Sequence, residues 1–356
     1  MKKRIDYIDT AKGFAIIAVV LSHALTNSNQ VLNVDHPALL NFLSFFNVST
    51  FFFINGYFYS ETCVEFPCKA ILKKIKSYYL PFVLYNLFFL AIQNSLVRAH
   101  ILDSKYRITD IRVLLISLIQ VIFGKMQPLG GAMWFLRALV LLSVMYILTD
   151  SISFRIANGK YRYIINGIVA LVLTFVSKLS ITPRNFNFHQ ACGAFILYYF
   201  GVVYRKYNLN TYIKKYLIPI SITTLVISMI IGKTVMVGIS GGINPFLDFV
   251  SMWVSLIMVL SISQLGFVTK SKVLKCLGSC SMEIMALHFL AFKPISALFI
   301  SVYKLNISYL SDIPVVKLTD QPGIWPVLYT LSGIALPTLF FYIKKIIKTK
   351  ISHTNR

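Results

Sequence analysis

Three ionisable residues share one face of the first apolar segment. The stretch Ile8 to Ser28 reads IDTAKGFAIIAVVLSHALTNS, and Asp9, Lys12 and His23 interrupt it. At 100° per residue, Lys12 and His23 fall about 20° apart around a helix, and Asp9 about 40° from His23. Ionisable groups inside a membrane helix cost several kcal/mol unless they face protein or water, which makes them functional candidates. A neutral imidazole can take a proton from a hydroxyl near pH 7, as a general base must. A core histidine bonded to a neighbouring helix is the simpler reading of His23; the stripe it shares with Lys12 and Asp9 favours chemistry. Lys12 lies about three turns, roughly 16 Å, from His23. That is about half of a ~30 Å hydrocarbon core, so the two side chains cannot touch. Lys12 could meet a charged ligand at the interface while His23 acts at mid-depth, although simple snorkelling also accounts for a lysine there.

Further candidates lie along the chain. Lys73, Lys74 and Lys76 form a cluster that attracts phosphate without arginine's bidentate fork. Such a cluster also serves as a topology signal in contact with anionic lipid. In the segment Leu277 to Phe289, Glu283 and His288 are five residues apart, hence about 140° around a helix, and are not a same-face pair. Either can face a cavity and orient His23 or an acceptor. Arg137, in Trp134-Phe135-Leu136-Arg137, is another charge within an apolar segment, with Glu283 or Asp248 as a partner or a ligand as its target. Arg184 and His189 fall in an outer turn, best read as solvated. Gly238 to Gly242 lacks the strand and helix of a dinucleotide loop, and no P-loop or HExxH occurs.

The elements that must position these residues are membrane helices. The 356-residue chain is 57% hydrophobic and 13% charged, with mean hydropathy +0.71. Soluble domains carry about 25% charged residues. The expected fold is all-α, a polytopic membrane protein with about ten spans near 10–30, 38–60, 78–97, 132–149, 163–180, 191–205, 216–232, 246–264, 277–294 and 325–343. Residues 111–124 are apolar but too short to cross, and are read as a re-entrant or interfacial helix. With the N-terminus in the cytoplasm, 23 of the 35 basic residues fall on inner segments, 11 on outer ones, and Arg137 within a helix. Both termini are therefore expected to be cytoplasmic. The net charge of +23 becomes a topology signal, and no nucleic acid partner is needed. Residues 1–343 form the expected membrane domain and 344–356 a basic cytoplasmic tail.

Five cysteines without a CxxC read as reduced, structural thiols, and no metal site is expected. The N-terminus has a basic start and a short apolar region, but Asp6 and Asp9 argue against a cleaved signal peptide. The two halves show no repeated helix pattern, which counts against a secondary transporter. A transporter or flippase for a glycolipid or small solute remains the alternative function, using the same buried charges without bond chemistry. The outer segment 295–324, with Asp312, Lys317 and Asp320, could cover an outward-facing site.

Taken in order, several motifs resemble the acyltransferase-3 family of integral membrane O-acyltransferases, most closely the fucose 4-O-acetylase-like branch. They are Arg4-Ile5-Asp6-Tyr7-Ile8-Asp9-Thr10-Ala11-Lys12-Gly13 with His23, Phe51 to Tyr57, Lys73 to Pro81, Trp134-Phe135-Leu136, and Ser281-Met282-Glu283 through His288. The resemblance implies about ten helices in a bacterial-type inner cell membrane. It implies acyl transfer, expected to be acetyl, from acyl-CoA to a sugar hydroxyl of a surface polysaccharide or glycolipid. Acetyl-CoA would be a co-substrate, with no tightly bound cofactor. The family's helix-1 histidine maps to His23, with Glu283 and His288 as further catalytic candidates. Its preceding basic residue, usually arginine, maps to Lys12, and its basic pair before the third span maps to Lys73 and Lys76, together a donor-phosphate set. Asp9, Trp134 and Arg137 are the expected structural or substrate-orienting residues. Lysine in place of arginine keeps the charge but loses the planar fork.

Overall fold

The computed structural model describes residues 4–25, 37–156, 159–179, 183, 185–234, 245–317 and 324–354. Among these the chain is helical, with no strand. The helices in order are α1 (Asp6–Leu25), α2 (Pro37–Tyr57), α3 (Pro67–Lys74), α4 (Leu80–Arg98), α5 (Ile111–Ile122) and α6 (Trp134–Ile156). Next come α7 (Arg162–Val176), α8 (Phe188–Lys206), α9 (Asn210–Lys215), α10 (Leu217–Thr234) and α11 (Pro245–Ile262). The last are α12 (Gly266–Thr269), α13 (Lys272–Ser279), α14 (Ser281–Ala291), α15 (Lys293–Val302) and α16 (Ile324–Thr354).

Six helical segments are long and apolar enough to cross a membrane: Asp6–Leu25, Leu39–Tyr57, Pro67–Arg98, Pro128–Ile156, Ser281–Val302 and Ile324–Lys350. They occupy six of the ten expected spans. Three more expected spans hold shorter apolar helices, at Arg162–Val176, Leu217–Ile231 and Val250–Ile262, and α8 fills the place of the sixth. The ninth expected span is not one straight helix. It breaks at Cys280, between α13 and α14, and runs on through α15. At the C-terminus no break separates a tail at residue 344, because α16 continues to Thr354. The short segment read as interfacial is α5, which starts at Asp110, whose carboxylate accepts from Arg112 N and Val113 N. Its residues Ile111, Leu115, Ile116, Ile119 and Ile122 are exposed and Val121 is buried, an apolar surface suited to lipid.

The chain divides into two compact units: residues 1–43, 85–132 and 271–356, and residues 44–84 and 133–270. In the first, α1 lies directly on α13. A Cβ placed on Gly13 would sit 2.3 Å from the Leu274 carbonyl oxygen, and one on Gly278 2.0 Å from that of Asp9. Only glycine allows this backbone-to-backbone approach. In the second unit, Gly56 of α2 and Gly201 of α8 form a crossing of the same kind, against Tyr198 and Phe53.

The second unit also buries an ionic cluster. Asp150 is wholly buried and accepts from Tyr59 Oη at 2.6 Å, Arg162 Nε at 2.5 Å and Asn166 Nδ2 at 2.7 Å. Arg162 Nη2 also bonds its carboxylate, and Ser153 donates to Asn166 Oδ1 at 2.8 Å. A buried charge is tolerated when it is paired and hydrogen-bonded in this way.

Candidate active site

The unbroken α1 carries the stripe of ionisable residues. At its start, Lys12 Nζ donates to Asp9 Oδ1 at 3.4 Å, and Arg4 Nε lies 4.0 Å from Asp9 Oδ2. Asp9 thus holds both cations. Neighbouring Asp6 accepts from Lys275 Nζ at 2.9 Å, tying the start of α1 to α13.

Eleven residues on, His23 meets α14. Its ring centroid lies 5.3 Å from that of His288, with the planes tilted by 30°. It lies 5.0 Å from that of Phe289, edge-on. The two histidines differ in environment: His23 is half-buried and His288 wholly buried. His288 Nδ1 lies 2.8 Å from the Ile284 carbonyl oxygen. A carbonyl only accepts, so the neutral ring is assigned its hydrogen on Nδ1 and its lone pair on Nε2. His288 Nε2 is buried with no hydrogen-bond partner among the described residues. The site therefore pairs a partly accessible imidazole with a second, buried one whose acceptor nitrogen is uncommitted.

Glu283 takes a different place. It is buried and accepts from Lys344 Nζ of α16 at 3.3 Å. Of the two candidates on α14, His288 is brought against His23, and Glu283 ties α14 to α16. The 140° between them is spent on two neighbours.

Among the second unit's candidates, the three lysines separate. Lys73 and Lys74 lie in the last turn of α3, and a π-helical turn at Ile75–Tyr79 links it to α4. Lys73 and Lys76 are exposed, whereas Lys74 Nζ lies over the rings of Tyr78 and Tyr198, at 5.4 and 5.9 Å. Trp134 and Arg137 stand in the first turn of α6, both half-buried. Arg137 finds partners within its own unit. Its Nη2 donates to Asn187 Oδ1 at 2.5 Å, and its guanidinium lies over Phe186 and Phe82 at 5.5 and 5.9 Å. The Asp248 side chain, Arg184, Asp320 and Gly238–Gly242 lie outside the described residues. Among the described residues, no group of three His, Cys, Asp or Glu side chains is placed to hold a metal ion.

A family model described as an acyltransferase domain matches residues 5–344. The chain belongs to the acyltransferase-3 family. No curated protein and no solved structure matches it. With its apolar helices, this acyltransferase is a multi-pass membrane protein. Sequence reasoning about it missed Lys344 as the partner of Glu283, having placed that lysine in a tail. It also missed Lys293, buried in α15, whose Nζ donates to the carbonyls of Leu310 at 2.9 Å and Asp312 at 2.5 Å. A lysine inside an apolar run was the available signal. The Asp150 cluster was missed too, and its signal was a lone acid in Thr149-Asp150-Ser151 at the end of a span.

Proposed function

We propose that the protein transfers an acetyl group from acetyl-CoA to a sugar hydroxyl of a surface polysaccharide or glycolipid, with His23 as general base. The reading rests chiefly on His23, partly accessible within a membrane helix and backed by the buried His288. His23 takes the proton as the acceptor oxygen attacks the thioester carbonyl. The C–O ester bond forms, the C–S bond breaks, and the imidazolium returns its proton to the departing thiolate. Transient attachment of the acetyl group to His23 itself gives the same products. His288, whose ring packs against that of His23, is a positioning residue for it.

The donor enters from the cytoplasmic side of a bacterial-type inner membrane, with both termini on that side. Lys73 and Lys76 meet its phosphates as exposed point charges, and Lys12, oriented by Asp9, is the third member of the set. Trp134 and Arg137 shape the acceptor's surroundings. The test is acetyl transfer from labelled acetyl-CoA to the surface glycan by purified wild type and His23→Ala. Labelled glycan that depends on His23 supports the reading. Movement of the glycolipid across vesicles without acetylation would support a flippase in its place.

A further inference from the structure

A cavity opens beside the start of α1, with Asp9 of the proposed donor set in its wall. It has a volume of about 360 Å³ and lies among the first residues of the chain, α13 and α16. That size is within the range of small-ligand sites, about 300–1,000 Å³. Its walls carry four cations, Arg4, Lys272, Lys275 and Lys345, against two carboxylates, Asp6 and Asp9. Lys275 is paired with Asp6 and Arg4 lies near Asp9. Lys272 and Lys345 have no acidic partner among the described residues, and both are exposed. The cavity thus holds two uncompensated positive charges, with the Tyr342 hydroxyl and Ser279 as further polar groups.

An apolar stripe on α16 runs away from the cavity, on the side of Tyr342. Leu331 and Leu339 of α16 are exposed and lie within about 60° of Tyr342 around the helix. They rise from the cavity over roughly 16 Å, about half the thickness of a hydrocarbon core. A positive cavity joined to an exposed apolar stripe matches an amphiphile with an anionic head. Basic pockets between membrane helices bind phosphate headgroups by this logic.

We propose that this cavity binds a phosphate-bearing anion, and that the phosphate is the headgroup of a bilayer lipid whose chains lie along the α16 stripe. The cavity shares Asp9 with the proposed donor set, but neither Lys272 nor Lys345 is assigned to that set.

The experiment measures lipid binding to the full-length protein in detergent by native mass spectrometry. Phosphatidylglycerol, phosphatidylcholine, glycerol 3-phosphate and free coenzyme A are the probes, with thermal stability read alongside. The expected result is retention of phosphatidylglycerol over phosphatidylcholine. Lys272→Gln with Lys345→Gln should weaken that binding at least ten-fold while leaving acyl transfer unchanged. Leu331→Ser with Leu339→Ser should weaken phosphatidylglycerol alone. Equal binding of the soluble phosphates, with the same lysine dependence, would keep the anion site but overturn the lipid as its source. Unchanged phosphatidylglycerol binding by a folded lysine double variant, or equal retention of phosphatidylcholine, would overturn the site itself.

Discussion

Replacing Gly13 with alanine tests whether the α1–α13 contact sets the geometry of the site. The added Cβ would lie 2.3 Å from the Leu274 carbonyl oxygen and 2.9 Å from its carbon. Ordinary contact begins near 3.4 Å, so the helices must part by about 1 Å. The obstacle is backbone, which cannot rotate away as a side chain would. Alanine gains about 1 kcal/mol of helix propensity over glycine. Overpacking costs about 1–3 kcal/mol, and a backbone clash belongs at the upper end, leaving a net loss of about 1–2 kcal/mol. The effect on activity should be larger. α1 carries His23, and α13 leads through Cys280 into α14, which carries His288. A misplacement of about 1 Å can lower a rate ~100-fold. The control is Gly266→Ala, where a Cβ meets no atom within 4 Å. Thermal unfolding and acyl transfer would be measured side by side in detergent. If Gly13→Ala matches Gly266→Ala in both, the reasoning from this close approach is refuted.

Asp150→Ala should destabilise the protein by about 3–5 kcal/mol by stranding the buried Arg162, whereas Tyr59→Phe should cost about 1.5–3 kcal/mol, the range for a hydrogen bond to a charged group; denaturant titration compares them. Lys73→Gln with Lys76→Gln should raise the KM for acetyl-CoA with little change in kcat, and the difference should shrink at high salt as exposed charges are screened. Glu61 accepts from Lys206 Nζ at 2.8 Å and from Tyr163 Oη at 2.9 Å, and the Lys206 bond leads in holding its carboxyl below the usual carboxylate range. A depressed folded-state pKa contributes stability above the unfolded pKa and loses it as pH falls through the folded one. Because the pair is exposed, Glu61→Gln should cost less than about 1 kcal/mol at neutral pH, and unfolding curves of variant and wild type should converge in strong acid.

The local arrangement of the site was legible where one helix carried it. The α1 stripe follows from helical spacing, and its apolar run forms the helix expected. Helix arithmetic also separated Glu283 from His288, but their neighbours depended on distant parts of the chain. His288 meets a helix some 260 residues earlier, and Glu283 meets Lys344 on α16, and no periodicity joins such segments. The break at Cys280 carries no proline, so hydropathy ran straight through Leu277-Gly278-Ser279-Cys280. Lys74 looked equivalent to Lys73 and Lys76 until the fold placed Tyr78 and Tyr198 beneath it. The Asp150 cluster joins residues 59, 150, 162 and 166, each unremarkable in its own segment.

The role of His23 is tested most directly by single-turnover acetyl transfer, comparing wild type with His23→Ala and His23→Gln at matched protein levels and matched unfolding temperatures. A general base contributes about 10²- to 10⁴-fold to the rate, so both variants should fall by that factor while still binding acetyl-CoA. Transfer at the wild-type rate by either variant would contradict the assignment of His23.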